Sequence, residues 1–64
     1  MKLMLFDIKD SSHPYGVRFT VQFTVRAEMV RWCTEQFGRD VSLGILMVAF
    51  RHEADRNWFI LRWS

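Results

Sequence analysis

The residues that invite a chemical reading are the single cysteine, Cys33, and the two histidines, His13 and His52. Cys33 and His52 would make a nucleophile and its base if a third group oriented the imidazole. The sequence places no such group. Cys33 also falls on the apolar stripe of an expected helix, where a free thiol behaves as a small buried hydrophobe. His52-Glu53-Ala54-Asp55 gathers a histidine and two carboxylates in one short string. It is not the zinc motif H-E-x-x-H, which needs a second histidine one turn on, and it reads as a solvated turn. His13 precedes Pro14 in a polar loop without an obvious partner. No G-x-G-x-x-G, P-loop or Cys-x-x-Cys pattern is present. The expectation is a protein that is not an enzyme, with no catalytic residues, no metal site and no cofactor.

Seven of the nine basic residues are arginines, at 18, 26, 31, 39, 51, 56 and 62, and the net charge is +2. A weakly basic balance permits nucleic-acid binding without demanding it. Small sheets that bind single strands stack bases on aromatics and follow phosphates with arginine. Arg18, Arg26, Arg51, Arg62 and Trp58 would suit that role if one sheet face gathered them. The ordered aromatic and basic signature of an RNA-recognition motif is missing. Single-stranded nucleic-acid binding therefore stands as the alternative reading.

The elements that must position these residues belong to one domain, residues 1–64. Half of the residues are hydrophobic and 16% aromatic, which argues against disorder. One cysteine cannot form an intrachain disulfide, so a reducing cytoplasm is the expected setting. The apolar stretch Leu3–Phe6 ends at Asp7, too short for a signal peptide. The longest apolar run, Ile45 to Phe50, is too short for a membrane span.

Residues 2–8 read as a first strand and 9–15 as a loop. In 17–25, Val17, Phe19, Val21, Phe23 and Val25 alternate with polar residues, a strand signature of period two. Over 26–37 the period changes: Met29, Val30, Cys33 and Phe37 form one helical stripe, with Trp32 on its shoulder. Thr24 is a candidate N-cap, Gly38 the residue that ends the helix, and Glu28 suits the dipole near its start. Residues 44–51 and 57–63 read as the last two strands, with His52–Asn57 as a hairpin connection. The expected fold is α+β, ββαββ, with one helix packed on a four-stranded antiparallel or mixed sheet. The helix would be a right-handed crossover that makes the strands it joins parallel.

Three of these strands are apolar on both faces. Leu3 and Leu5 oppose Met4, Phe6 and Ile8. Leu46, Val48 and Phe50 oppose Ile45, Met47 and Ala49. Phe59, Leu61 and Trp63 oppose Trp58 and Ile60. Such strands are normally buried on both sides. One helix, about 10–12 Å wide, covers only one face of four strands spaced about 4.8 Å apart. The other face is expected to expose Trp58, Ile60, Met47 and Ile45, with Phe6 and Met4 alongside. An apolar patch of that kind marks an interface. The residues expected to carry partner binding are Trp58, Ile60, Met47 and Arg62, with Arg18 as a polar neighbour.

The segment Phe50-Arg-His-Glu-Ala-Asp-Arg-Asn-Trp-Phe-Ile-Leu-Arg-Trp63 resembles the ending of very small phage-encoded proteins. In those, an acidic Glu-x-Asp turn leads into a short aromatic strand closing on Leu-x-Trp. Glu28–Gly38 is similar to their preceding helix, so the likeness spans about half of the chain. It implies a viral origin and a life in the cytoplasm of a bacterial host, and it transfers no functional residue. The function expected is a non-enzymatic protein-binding module, an inhibitor that sterically blocks a host or anti-phage defence protein. Self-association, as in a homodimer or assembly subunit, is a further alternative.

Overall fold

The computed structural model describes all 64 residues. The chain forms β1 (Lys2–Asp7), β2 (Tyr15–Thr20), α1 (Phe23–Phe37), a 3₁₀ turn at Gly38–Asp40, β3 (Val41–Leu43), β4 (Met47–Phe50) and α2 (Glu53–Trp63). The strands make one sheet in the order β1-β2-β4-β3, and every neighbouring pair is antiparallel. The class is α+β, but the element order is ββαββα rather than ββαββ, with two helices instead of one. No helix is long and apolar enough to cross a membrane.

The expected strand over 17–25 stops at Thr20 for want of partners. β1 reaches Thr20 only through Lys2. On the other side the last bond runs from the Phe19 N–H to the Leu46 carbonyl, 3.0 Å, where the β3–β4 hairpin turns away. Beyond that point a strand would leave its backbone groups unpaired. The chain closes them within a helix instead, despite the alternation of Val21, Phe23 and Val25. α1 therefore starts three residues earlier than expected, with Gln22 rather than Thr24 at its N-cap position and no side-chain hydrogen bond there, and Glu28 lies beyond its first turn. Gly38 does end it, at φ 55°, with its N–H bonded to the Thr34 carbonyl. This left-handed φ suits glycine.

Residues 41–50 fold back as a hairpin around Gly44–Leu46, so only the end of the expected strand 44–51 survives. The crossover is not parallel, because β4 lies antiparallel to β2. Residues 57–63 are helical, and His52–Asn57 is the start of α2 rather than a hairpin connection. Glu53 and Asp55 occupy the first turn and Arg62 the last, which matches the helix dipole at both ends.

Both helices pack on one side of the sheet. The core joins Val17, Phe19, Val48, Phe50 and Val41 from the strands to Met29, Cys33 and Phe37 of α1 and Phe59 of α2. Trp32 stands at the junction, its ring 5.3 Å from Phe37, 5.5 Å from Trp58 and 6.1 Å from Trp63, each edge to face. Such pairings add to the area they bury.

Candidate functional site

Cross-strand register decides what lies on the side of the sheet away from the helices. One row runs Met4, Arg18, Met47 across β1, β2 and β4. The next runs Phe6, Gly16, Ala49, Ser42 across all four strands. Met4 is 56% exposed, and Arg18 is exposed beside it. A Cβ on Gly16 would lie 2.5 Å from the Phe6 ring. The glycine thus lets that ring lie flat across β2, where it covers backbone. The Arg18 guanidinium stands 5.7 Å from the centre of the same ring, a cation–π distance.

Arg18 separates two shallow hollows. One is bordered by Lys2, Met4 and Thr20, the other by Gly44, Ile45, Leu46 and Met47. The second ends at the hairpin tip, where Ile45 and Leu46 are exposed. Arg26 holds that tip: its Nε donates to the Ile45 carbonyl at 2.6 Å and its Nη2 to the Gly44 carbonyl at 3.0 Å. The ion pairs of the molecule use Arg51 and Arg56. Arg18 is therefore a cation without a carboxylate, set among methionine and phenylalanine side chains.

The expected binding residues divide between two surfaces. Met47 and Arg18 are direct neighbours on the open face. Trp58, Ile60 and Arg62 are on α2, on the opposite side of the sheet. Trp58 is half-exposed and packs edge-on against Phe37 at 5.5 Å. Ile60 packs against the core, and the Arg62 guanidinium lies 4.4 Å from the Trp63 ring. Met4 and Phe6 complete the open face, as the two-sided apolar pattern of β1 indicated. The arginines named for nucleic-acid binding are not gathered: Arg26 holds the hairpin, Arg51 lies 3.7 Å from Asp40, and Arg62 is on α2.

Comparison with protein-family models, with characterised proteins and with solved structures finds no match. The geometry alone therefore carries the functional reading.

The residues considered for chemistry are apart as well. Cys33 sits fully buried in the core cluster, whereas the exposed ring of His52 reaches Asp40 at 3.8 Å. Nε2 of His13 is 3.1 Å from the Arg39 carbonyl oxygen, which ties the first loop to the 3₁₀ turn. No group of three His, Cys, Asp or Glu side chains is placed to hold a metal. Burial pushes the Cys33 thiol up to about 12, so at pH 8 only roughly one molecule in ten thousand carries the thiolate. A disulfide reagent is expected to leave the folded protein unlabelled and to label it fully in denaturant. Fast labelling without denaturant would show that α1 opens locally.

Proposed function

We propose that this chain is a non-enzymatic protein-binding module that docks through the open face of its sheet. The observation that carries the reading is the unpaired Arg18, flanked by Met4, Met47 and Phe6 on the face that neither helix covers. Methionine, phenylalanine and arginine are enriched in interface cores. An arginine among apolar groups there gains most from a partner that supplies a carboxylate as the surface dries. The complementary surface is thus apolar with an acidic group near its centre. The module acts by occupying that surface. Steric blockade of a bacterial host or defence protein is the further part of this proposal; it rests on the sequence resemblance of Glu28–Gly38 and of the C-terminal segment to phage-encoded proteins, whose aromatic strand is the helix α2 here.

The test is a tagged pull-down from nuclease-treated bacterial lysate at moderate salt, comparing the wild type with Arg18→Glu and with Leu61→Lys on α2. The expected result is one or two proteins captured in near-equal amounts, reduced by at least about tenfold, or 1.4 kcal/mol, by Arg18→Glu. Leu61→Lys should leave capture unchanged. Equal capture by a folded Arg18→Glu protein would remove the open face from the account. Nucleic acid recovered before nuclease treatment, with affinity falling steeply in salt, would put the nucleic-acid reading first.

A further inference from the structure

The two edges of the sheet are unlike. β3 is a three-residue edge with α1 packed against it. β1 is a six-residue edge, and the helices pack instead on β2, β3 and β4. β1 consequently overhangs: Leu5, on the helix side, is 50% exposed, and Met4, on the other side, is 56% exposed. The strand carries no proline, and its centre, Leu3 to Phe6, carries no charge. These are the usual devices that blunt an edge.

The ladder shows which peptide groups are free. The Ile8 N–H donates to the Pro14 carbonyl at 2.8 Å, in register with the β1–β2 pairing. Alternation in an antiparallel pair then turns the backbone groups of Lys2, Met4 and Phe6 towards β2. Those of Leu3, Leu5 and Asp7 point outward, and no other hydrogen bond of the molecule uses them.

We infer that β1 pairs antiparallel with β1 of a second copy, giving a two-fold dimer with one continuous sheet of eight strands. The strand complements itself. A two-fold axis normal to the sheet runs the two edge strands antiparallel and sets outward peptide groups against outward peptide groups. Outward groups must meet outward groups, which selects between two central registers. In one, Met4 sits on the axis, Leu3 faces Leu5 of the second copy, and Lys2 faces Phe6 of the second copy. In the other, Leu5 sits on the axis and Leu3 faces an Asp7 carboxylate already held by Arg56 at 3.2 Å. Each register sets one charge against an apolar side chain, and the first is the register of the dimer because the stem of Lys2 can lie along Phe6 with its ammonium in water, whereas Asp7 is held in place by Arg56. All four helices then lie on one side, and two Arg18 faces adjoin on the other. The interface is small, so the dimer dissociates on dilution. It stands independently of what the open face binds.

The test measures native mass over a dilution series for the wild type, Leu5→Pro and Leu5→Lys. Proline at residue 5 removes only an outward N–H, so the β1–β2 ladder survives. The wild type is expected to reach twice the 7.7 kDa chain mass. Both variants should stay monomeric with unchanged circular dichroism; if Leu5→Pro fails to fold, Leu5→Lys decides. Oxidised Met4→Cys should cross-link with itself across the axis, and Leu5→Cys should do so much less. A wild type still monomeric at roughly 1 mM, a folded Leu5 variant that dimerises fully, or preferential cross-linking at residue 5 would overturn the proposal.

Discussion

Phe59→Ala is expected to remove a third or more of the chain's stability, about 3–5 kcal/mol. Phe59 is fully buried, with its ring 5.4 Å from Phe50 of β4 and 6.4 Å from Trp32 of α1. It is the one apolar side chain of α2 with no exposure, and it meets both the sheet and α1. Truncating a buried phenylalanine costs about 3–5 kcal/mol, because the cavity collapses only in part. At about 0.05–0.15 kcal/mol per residue, a chain of 64 residues holds roughly 3–10 kcal/mol in all. The loss is thus a large share of the total. Leu61, two residues on, is 81% exposed, and Leu61→Lys should change stability by no more than about 0.5 kcal/mol. Urea unfolding followed by tryptophan fluorescence checks both. Were 57–63 a strand, Phe59 and Leu61 would share a face and both substitutions would be costly. A costly Leu61→Lys would count against the helix.

Arg56 should show the opposite of what its ion pairs suggest. It is the buried charged residue of the molecule, 8% exposed. Its guanidinium lies 3.2 Å from the Asp7 carboxylate, 3.6 Å from that of Glu53 and 5.2 Å from the centre of the Tyr15 ring. Nη1 also donates to the Phe6 carbonyl at 3.4 Å, so the side chain ties α2 to the end of β1. Both carboxylates are largely exposed, and water screens such pairs until little is left. The buried Nε has no partner, a desolvation cost without return. What remains is packing of the aliphatic stem and the plane against Tyr15. Arg56→Ala is expected to cost about 2 kcal/mol through lost packing. Arg56→Met, which keeps the volume without the charge, should stay within about 1 kcal/mol of wild type or exceed it. The same urea titration decides. If methionine costs as much as alanine, the charge and its hydrogen bonds hold α2 in place.

Whether a segment was legible depended on where its hydrogen-bond partners lie. The stripe of Met29, Cys33 and Phe37 pointed to α1, because a helix closes its bonds within itself and its period is a local property. β1 and residues 17–20 of β2 were legible because their hairpin partner is close in sequence, although β2 begins earlier, at Tyr15, which reads as loop. α2 is the instructive miss. Trp58, Phe59, Ile60, Leu61 and Trp63 have the propensities of a strand. Yet Arg56, Phe59, Ile60 and Trp63 form a helical stripe, and acids at one end with Arg62 at the other are helix signals. Two local patterns overlapped there, and the room for a helix over β2 and β4 settled which one won.

The α+β class, the two apolar faces of β1 and of the 45–50 run, and a Cys33 that faces a core were already readable along the chain. Those properties follow from composition and from periods of two and 3.6 read over a few residues. Packing alone set where β2 ends, that Arg26 pins a turn at Gly44, and that α2 is a helix. It also separated Met47 and Arg18 from Trp58 and Arg62. A strand ends where its distant partner ends, and the two faces of a sheet are told apart only by what packs on them. Both facts depend on residues far apart in the chain.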